Sequence, residues 1–301
     1  MTAAQVRTES VSFVSDGVRL RGELFLPADS HESAKLPGVV VSGTWTSVRQ
    51  QMADRYANQL AGRGVAALSF DFTGYGASDG EPRDIESAAL KARDIHHAVG
   101  FLAGHPQIDA ERITELAVCA SAMYAALNAV DDPRVRALAL IAPWLHDGAL
   151  VREMYGGDAG VAERIAAGES ARERYERTGA VDYVPAQSPS DPAAAMPMVM
   201  DFYENPERGA IPEWDNKFAV MAWPEWLNFD SISLAPRLRV PTLLVHSEEA
   251  AIPDGARRFH EAIGADKEIA WIAGTQFDFY DQQPVVGEAV DRAVAHFERY
   301  V

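Results

Sequence analysis

The sequence is poor in cysteine and in positive charge. Cys119 is its single cysteine, so no internal disulfide can form and the fold must hold by its core. Lys and Arg number 27 against 44 Asp and Glu, a formal charge of −17. A surface of that sign opposes phosphate backbones and anionic bilayers, which argues against nucleic-acid and membrane partners. No apolar run approaches the length of a membrane span, and the opening MTAAQVRTES lacks the apolar stretch of a secretory leader. The cytoplasm is therefore the expected location. Internal repeats, low-complexity tracts, phosphate loops and metal-ligand spacings are missing too, so neither a metal nor a cofactor is expected. The partner that remains is a small-molecule substrate, and the sequence is compatible with a homo-oligomer.

What is present is enough for a large core: 301 residues, 48% of them hydrophobic, suit one α/β domain with an insertion. Glu9 to Pro27 alternates apolar and polar residues on both sides of Ser15-Asp16-Gly17, a hairpin signal. Pro37 to Gly43 and Gly64 to Phe72 are continuous apolar runs with a helix-like stretch, Val48 to Ala61, between them. An amphipathic helix is expected over Asp84 to Leu102, then a strand from Ile113 to Cys119, a helix from Ala120 to Val130 and a strand from Val135 to Ala142. Such alternation predicts βαβ crossovers in a doubly wound, mostly parallel sheet. From Pro143 to about Asp230 the pattern breaks into Met-, Trp-, Tyr- and Pro-rich sequence, with a charged helix-like piece at Ala162 to Glu176. Alternation resumes at Pro241 to His246, Pro253 to Ile263, Lys267 to Ala273 and Pro284 to Tyr300. The expected division is a core of residues 1–145 and 231–301 carrying a cap of residues 146–230.

The chain must turn sharply at Cys119, between a strand and a helix. A side chain presented on such a turn needs small residues two positions either side, and Ala117 and Ser121 are small. With Ser121 at the tip the flanks would be Cys119 and Met123, and Met123 fits poorly. The stretch LAVCASAMY thus reads as a nucleophile elbow. The same residues also fit a buried thiol at a strand end.

Several ordered motifs break that tie. VVVSGTW, FDFTGYGASDGEPRD, VCAS, LIAPWLHD, LLVHSEEAAIP and AGTQFDFYD follow one another along the chain, and in this order the chain resembles an α/β-hydrolase, most similar to the dienelactone-hydrolase-like group with cysteine at the elbow. The resemblance implies Cys119 as the active centre. It also implies an oxyanion hole from the backbone N–H of Ala120 and one from Thr44 or Trp45. The triad acid falls four residues before Pro253, at Glu249, with Glu248 adjacent.

The histidine position departs from the family. Aligning Asp278, Tyr280 and Asp281 with the pattern GxTHxDxYD puts Gln276 where the base belongs, and an amide cannot accept a proton near neutral pH. The triad is degenerate. His146, in PWLHD, is a candidate substitute base or a polar residue at the cap entrance; His246 reads as buried. His96 and His97 are helix neighbours that point apart and make no metal pair. Gly74, Gly76 and Gly80 resemble a dinucleotide fingerprint only loosely, with the wrong spacing and acidic neighbours, and more simply permit a turn.

If the cap covers Cys119, its large side chains line the cleft, with Trp144, Met200, Tyr203, Trp223 and Trp226 as the expected substrate contacts. The first expectation is an enzyme performing cyclisation, isomerisation or elimination on a small, largely apolar substrate. A cysteine-dependent esterase or lactonase is the second, and a catalytically silent protein that keeps the pocket the third.

Overall fold

A computed structural model describes residues 5–31 and 33–301. Glu32 and the first four residues of the stretch read for a leader lie outside the described residues. Strands β1 (Val6–Ser15) and β2 (Val18–Pro27) form the expected hairpin, pairing Ser15 with Val18. Asp16 and Gly17 between them both take positive φ, 44° and 89°, which matches the twist of a two-residue turn.

β2 passes antiparallel to β4 (Ala66–Phe70), and from β4 inward the sheet is parallel: β3 (Leu36–Ser42), β5 (Ile108–Val118) and β6 (Val135–Ile141). β7 (Tyr183–Pro185) and β8 (Lys217–Ala219) form a separate small ribbon. The main sheet is completed by β9 (Thr242–His246) and β10 (Lys267–Trp271), giving the order β1-β2-β4-β3-β5-β6-β9-β10. The central strands are buried on both faces, which explains their unbroken apolar runs. Helices α1 (Ala53–Ala61) and α10 (Val285–Tyr300) pack on one face, and α2 (Ala88–Gly104) and α3 (Ser121–Asp131) on the other, while α8 (Pro253–Ala262) follows β9 and the short α9 (Asp278–Asp281) follows β10.

Two boundaries differ from expectation for local reasons. The helix expected from Asp84 begins at Ala88, because Asp84 sits at φ 56° and Ser87 caps the helix through its hydroxyl on the Leu90 N–H. β5 starts five residues before the expected Ile113, since its first turn pairs Ile108 with Leu36 before a register shift. Gly74, Gly76 and Gly80 all take positive φ, and a Cβ on Gly76 would meet the Asp71 carboxyl at 2.5 Å. They shape the loop after β4.

Between β6 and β9 lie α4 (Gly148–Met154), α5 (Gly157–Thr178), the β7/β8 ribbon, α6 (Asp201–Glu204) and α7 (Trp223–Asn228). The two ends of this segment meet where the Ser231 N–H and hydroxyl donate to the His146 carbonyl, at 3.0 and 2.8 Å. Its side chains close over the carboxyl ends of the strands. Among the described residues no helix is long and apolar enough to cross a membrane.

Candidate active site

Cys119 leaves β5 at φ 56°, a left-handed conformation that a non-glycine residue holds only when its surroundings dictate it. Its N–H donates to the Ile141 carbonyl at 2.9 Å, and its own carbonyl accepts from Ala122 and Trp144. These bonds tie the turn between β5 and α3 to the end of β6 and the loop after it. The flanking Ala117 and Ser121 are fully buried, with no room for larger groups. The side chain is 5% exposed, and what it faces is a cavity of about 400 Å³.

The polar groups nearest Cys119 come from the segments at the carboxyl ends of the strands. The loop after β3 supplies Thr44 and Trp45, the elbow supplies Cys119 and Ala120, and the loop after β10 supplies Gln276 and Tyr280. Burial pushes the Cys119 thiol above its ordinary range, and contacts from Thr44, Tyr280, the Ala120 N–H and Gln276 offset only part of that. At neutral pH the sulfur is therefore a thiol. The Thr44 and Tyr280 hydroxyls lie 3.5 Å apart, and Gln276 Nε2 lies 3.4 Å from the Tyr280 hydroxyl. Burial also keeps the phenols of Tyr280 and Tyr203 protonated, so both are donors. Trp45 and Ala120 line the same space, and their backbone N–H groups take no part in the backbone hydrogen bonding of the described residues.

The remaining walls are apolar except for Arg164 and the Tyr203 and Tyr155 hydroxyls. Trp144, Tyr155, Met196, Met200, Trp226 and Phe277 surround the centre, and Met154, Met198 and Val199 form an exposed rim. Among the described residues no group of three or more His, Cys, Asp or Glu is arranged to hold a metal.

A buried network behind the loop after β3 sets its shape. Glu86 accepts from the Thr46 N–H at 2.5 Å, from the hydroxyls of Tyr75 and Tyr124 at 3.2 and 2.7 Å, and from Lys91 Nζ at 2.5 Å. Thr46 is itself left-handed, at φ 54°. Because Tyr124 sits on the helix after the elbow, one carboxylate ties both halves of the expected oxyanion hole together.

Residues 36–288 match the model of a family described as the alpha/beta hydrolase family. The chain belongs to that family. Its eight-stranded, mostly parallel sheet flanked by helices is the alpha/beta hydrolase fold. The chain is 27% identical to the uncharacterized protein PA2218 of Pseudomonas aeruginosa over 99% of this chain and 82% of that one. The crystal structure of PA2218 superposes with a TM-score of 0.84, covering 99% and 95% of the two chains at 23% identity. The chain is also 24% identical to the uncharacterized protein YcjY of Escherichia coli over 96% of this chain and 97% of that one. Similarity to the polyketide transferase grgF of a Penicillium species reaches 31%, over 48% of this chain and 47% of that protein.

Not every residue expected at the site of this alpha/beta hydrolase is there. The structure brings Cys119, Gln276, Thr44, Trp45, Ala120, Trp144, Met200, Tyr203 and Trp226 to one cavity. Glu249 is exposed and outside it; Glu248 is also exposed and pairs with Arg257. The loop after β9 instead presents the Ala251 N–H, which donates to Gln276 Oε1 at 3.0 Å, while Gln276 Nε2 donates to the Ala142 carbonyl at 3.0 Å. A carboxylate in Ala251's place would repel the amide oxygen, so a Gln at 276 and a displaced acid are consistent with one another.

His146 is not at the cavity either. Its Nδ1 accepts from the Trp144 indole at 2.8 Å and its Nε2 bonds the Trp226 carbonyl at 3.1 Å, so neither nitrogen is free to serve as a base. Burial pushes its pKa down to about 4. It orients the two tryptophans that line the site. Trp223 stands one layer back, packed on Trp45 and Phe218 at 6.0 and 4.5 Å. Sequence reasoning missed the phenol of Tyr280. Its spacing of four residues from Gln276 was the available signal, since that interval returns a side chain to the same helical face.

Proposed function

We propose that this alpha/beta hydrolase encloses a small, largely apolar carbonyl compound beneath the segment between β6 and β9, and carries out a non-hydrolytic step such as cyclisation, isomerisation or elimination. The observation that carries the reading is the set of groups around the Cys119 sulfur. Thr44, Tyr280, Gln276 and the Ala120 N–H all carry donors facing the same cavity, and none is a base near neutral pH. Donors converging on one spot in a low-dielectric cavity stabilise negative charge building on a carbonyl oxygen. Hydrolysis needs a base to activate water, which these groups do not supply. The apolar walls exclude water from the reacting atoms. Cys119 then serves as a neutral, polarisable wall beside the oxyanion, and Tyr280 and Tyr203 as donors to it.

A second reading, cysteine-dependent acyl transfer or ester cleavage, draws support from the left-handed elbow at Cys119 and from the partial similarity to a polyketide transferase. The two part on the fate of an acyl group. Mass spectrometry of the protein after exposure to p-nitrophenyl butyrate should find Cys119 unmodified or acylated slowly under the first reading. Rapid acylation followed by transfer to an added alcohol or amine would favour the second.

A further inference from the structure

Arg164, on α5, is the one charged side chain among the residues that line the cavity. Its guanidinium lies over the rings of Tyr155 and Trp223, at 5.5 and 5.6 Å. One nitrogen, Nη1, donates to the carbonyls of Tyr155 and Gly160 at 3.2 and 3.0 Å. These contacts fix the plane of the group and use one of its nitrogens. The edge formed by Nε and Nη2 has no acceptor, and Arg164 no carboxylate within ion-pair distance, among the described residues. The Nε/Nη2 edge of a guanidinium is the geometry that takes a carboxylate through two parallel hydrogen bonds.

We infer that the substrate is bipartite: a carbonyl-bearing end at Cys119, an apolar body along the tryptophans and methionines, and a carboxylate seated on the free edge of Arg164. The inference rests on the reading of this cavity as the substrate site and names the class of substrate it takes. Tyr155 links the two ends, since it packs under Arg164 and its hydroxyl accepts from the Trp226 indole at 2.7 Å. A single guanidinium matches a monoanion; a phosphate dianion would call for a second cation, and no other charged side chain lines the cavity. Desolvation by the flanking rings strengthens the pair relative to water.

The test uses simple probes, octanoate, octanol and octyl phosphate, titrated at pH 7.5 into the native protein with the tryptophan fluorescence of the cavity as readout. Octanoate is expected to bind about tenfold or more tightly than octanol, as one charge-assisted pair would give. Arg164→Met should abolish that difference, octanoate then binding no tighter than octanol. Arg164→Lys, which keeps the charge but loses the fork, should lose part of the octanoate preference, and it carries the test if the Met variant fails to fold. Octanoate binding no tighter than octanol, octyl phosphate binding tighter than octanoate, or a preference that survives Arg164→Met would each overturn the inference while leaving an apolar substrate cavity. Failure of all three probes to bind would overturn the cavity reading with it.

Discussion

Gln276 and Ala142 are joined across the mouths of two strands, the amide Nε2 donating to the carbonyl at 3.0 Å, while Gln276 Oε1 takes the Ala251 N–H at the same distance. The amide is thus a crosslink between the loops after β6, β9 and β10. Gln276→His should not create a hydrolase, because no carboxylate stands ready to orient the imidazole. Turnover of p-nitrophenyl butyrate is expected to rise by less than about tenfold, well short of the 10² to 10⁴ that a positioned acid/base supplies. The same change should lower stability by roughly 1 to 3 kcal/mol, since two backbone groups lose their partner; urea denaturation measures it.

The Glu86–Lys91 pair is almost fully buried, with side chains 0% and 2% exposed. Lys91→Met should cost about 3 to 5 kcal/mol, because it strands a buried carboxylate. Adding Glu86→Gln in the same chain should recover part of that loss, which a double-mutant cycle by chemical denaturation would reveal. Additive effects would mean the two side chains act separately.

Glu115 gives a pH dependence of definite sign. Burial raises its pKa from the ordinary 4.5 to about 8, with the Asn128 amide and the Arg134 charge offsetting only part of the rise, and its Oε2 has no hydrogen-bond partner among the described residues. Between those values the unfolded chain has released the proton and the folded one keeps it, so stability falls as pH rises, by about 1.4 kcal/mol per unit from this group. Above about 8 the loss levels off. Glu115→Gln should flatten that slope and stabilise the protein at pH 7 to 8, as thermal melts across pH would report.

The structure also separates two tryptophans that the sequence could not. Trp226 lines the cavity, whereas Trp223 packs behind Trp45. Trp226→Ala should weaken octanol binding more than it lowers stability. Trp223→Ala should cost about 3 to 5 kcal/mol of stability with a smaller effect on binding. Calorimetric titration beside thermal melts checks both.

The sheet was legible because its signals are local. Apolar runs such as VVVSG and ALSF could only be strands buried on both faces, and LAVCASAMY forced a turn at Cys119. Glu249 and His146 were misplaced because spacing to a proline or to a strand end does not say which way a loop side chain points. Glu248 found Arg257, and His146 found two tryptophan partners, one 80 residues away. Tertiary partners of that kind leave no trace in a short motif. Arg164 is similar: nothing in its charged, exposed-looking helix sets it apart from the arginines around it until α5 is folded onto Tyr155 and Trp223.

The proposal that Cys119 sits among donors with no base to complete hydrolysis is tested by the steady-state release of nitrophenolate from p-nitrophenyl butyrate. The native protein should give at most a burst of about one equivalent, with continuing turnover within a few-fold of Cys119→Ala, because deacylation lacks a group to activate water. Sustained, efficient turnover that disappears in Cys119→Ala would contradict the claim and place a working base in the cavity.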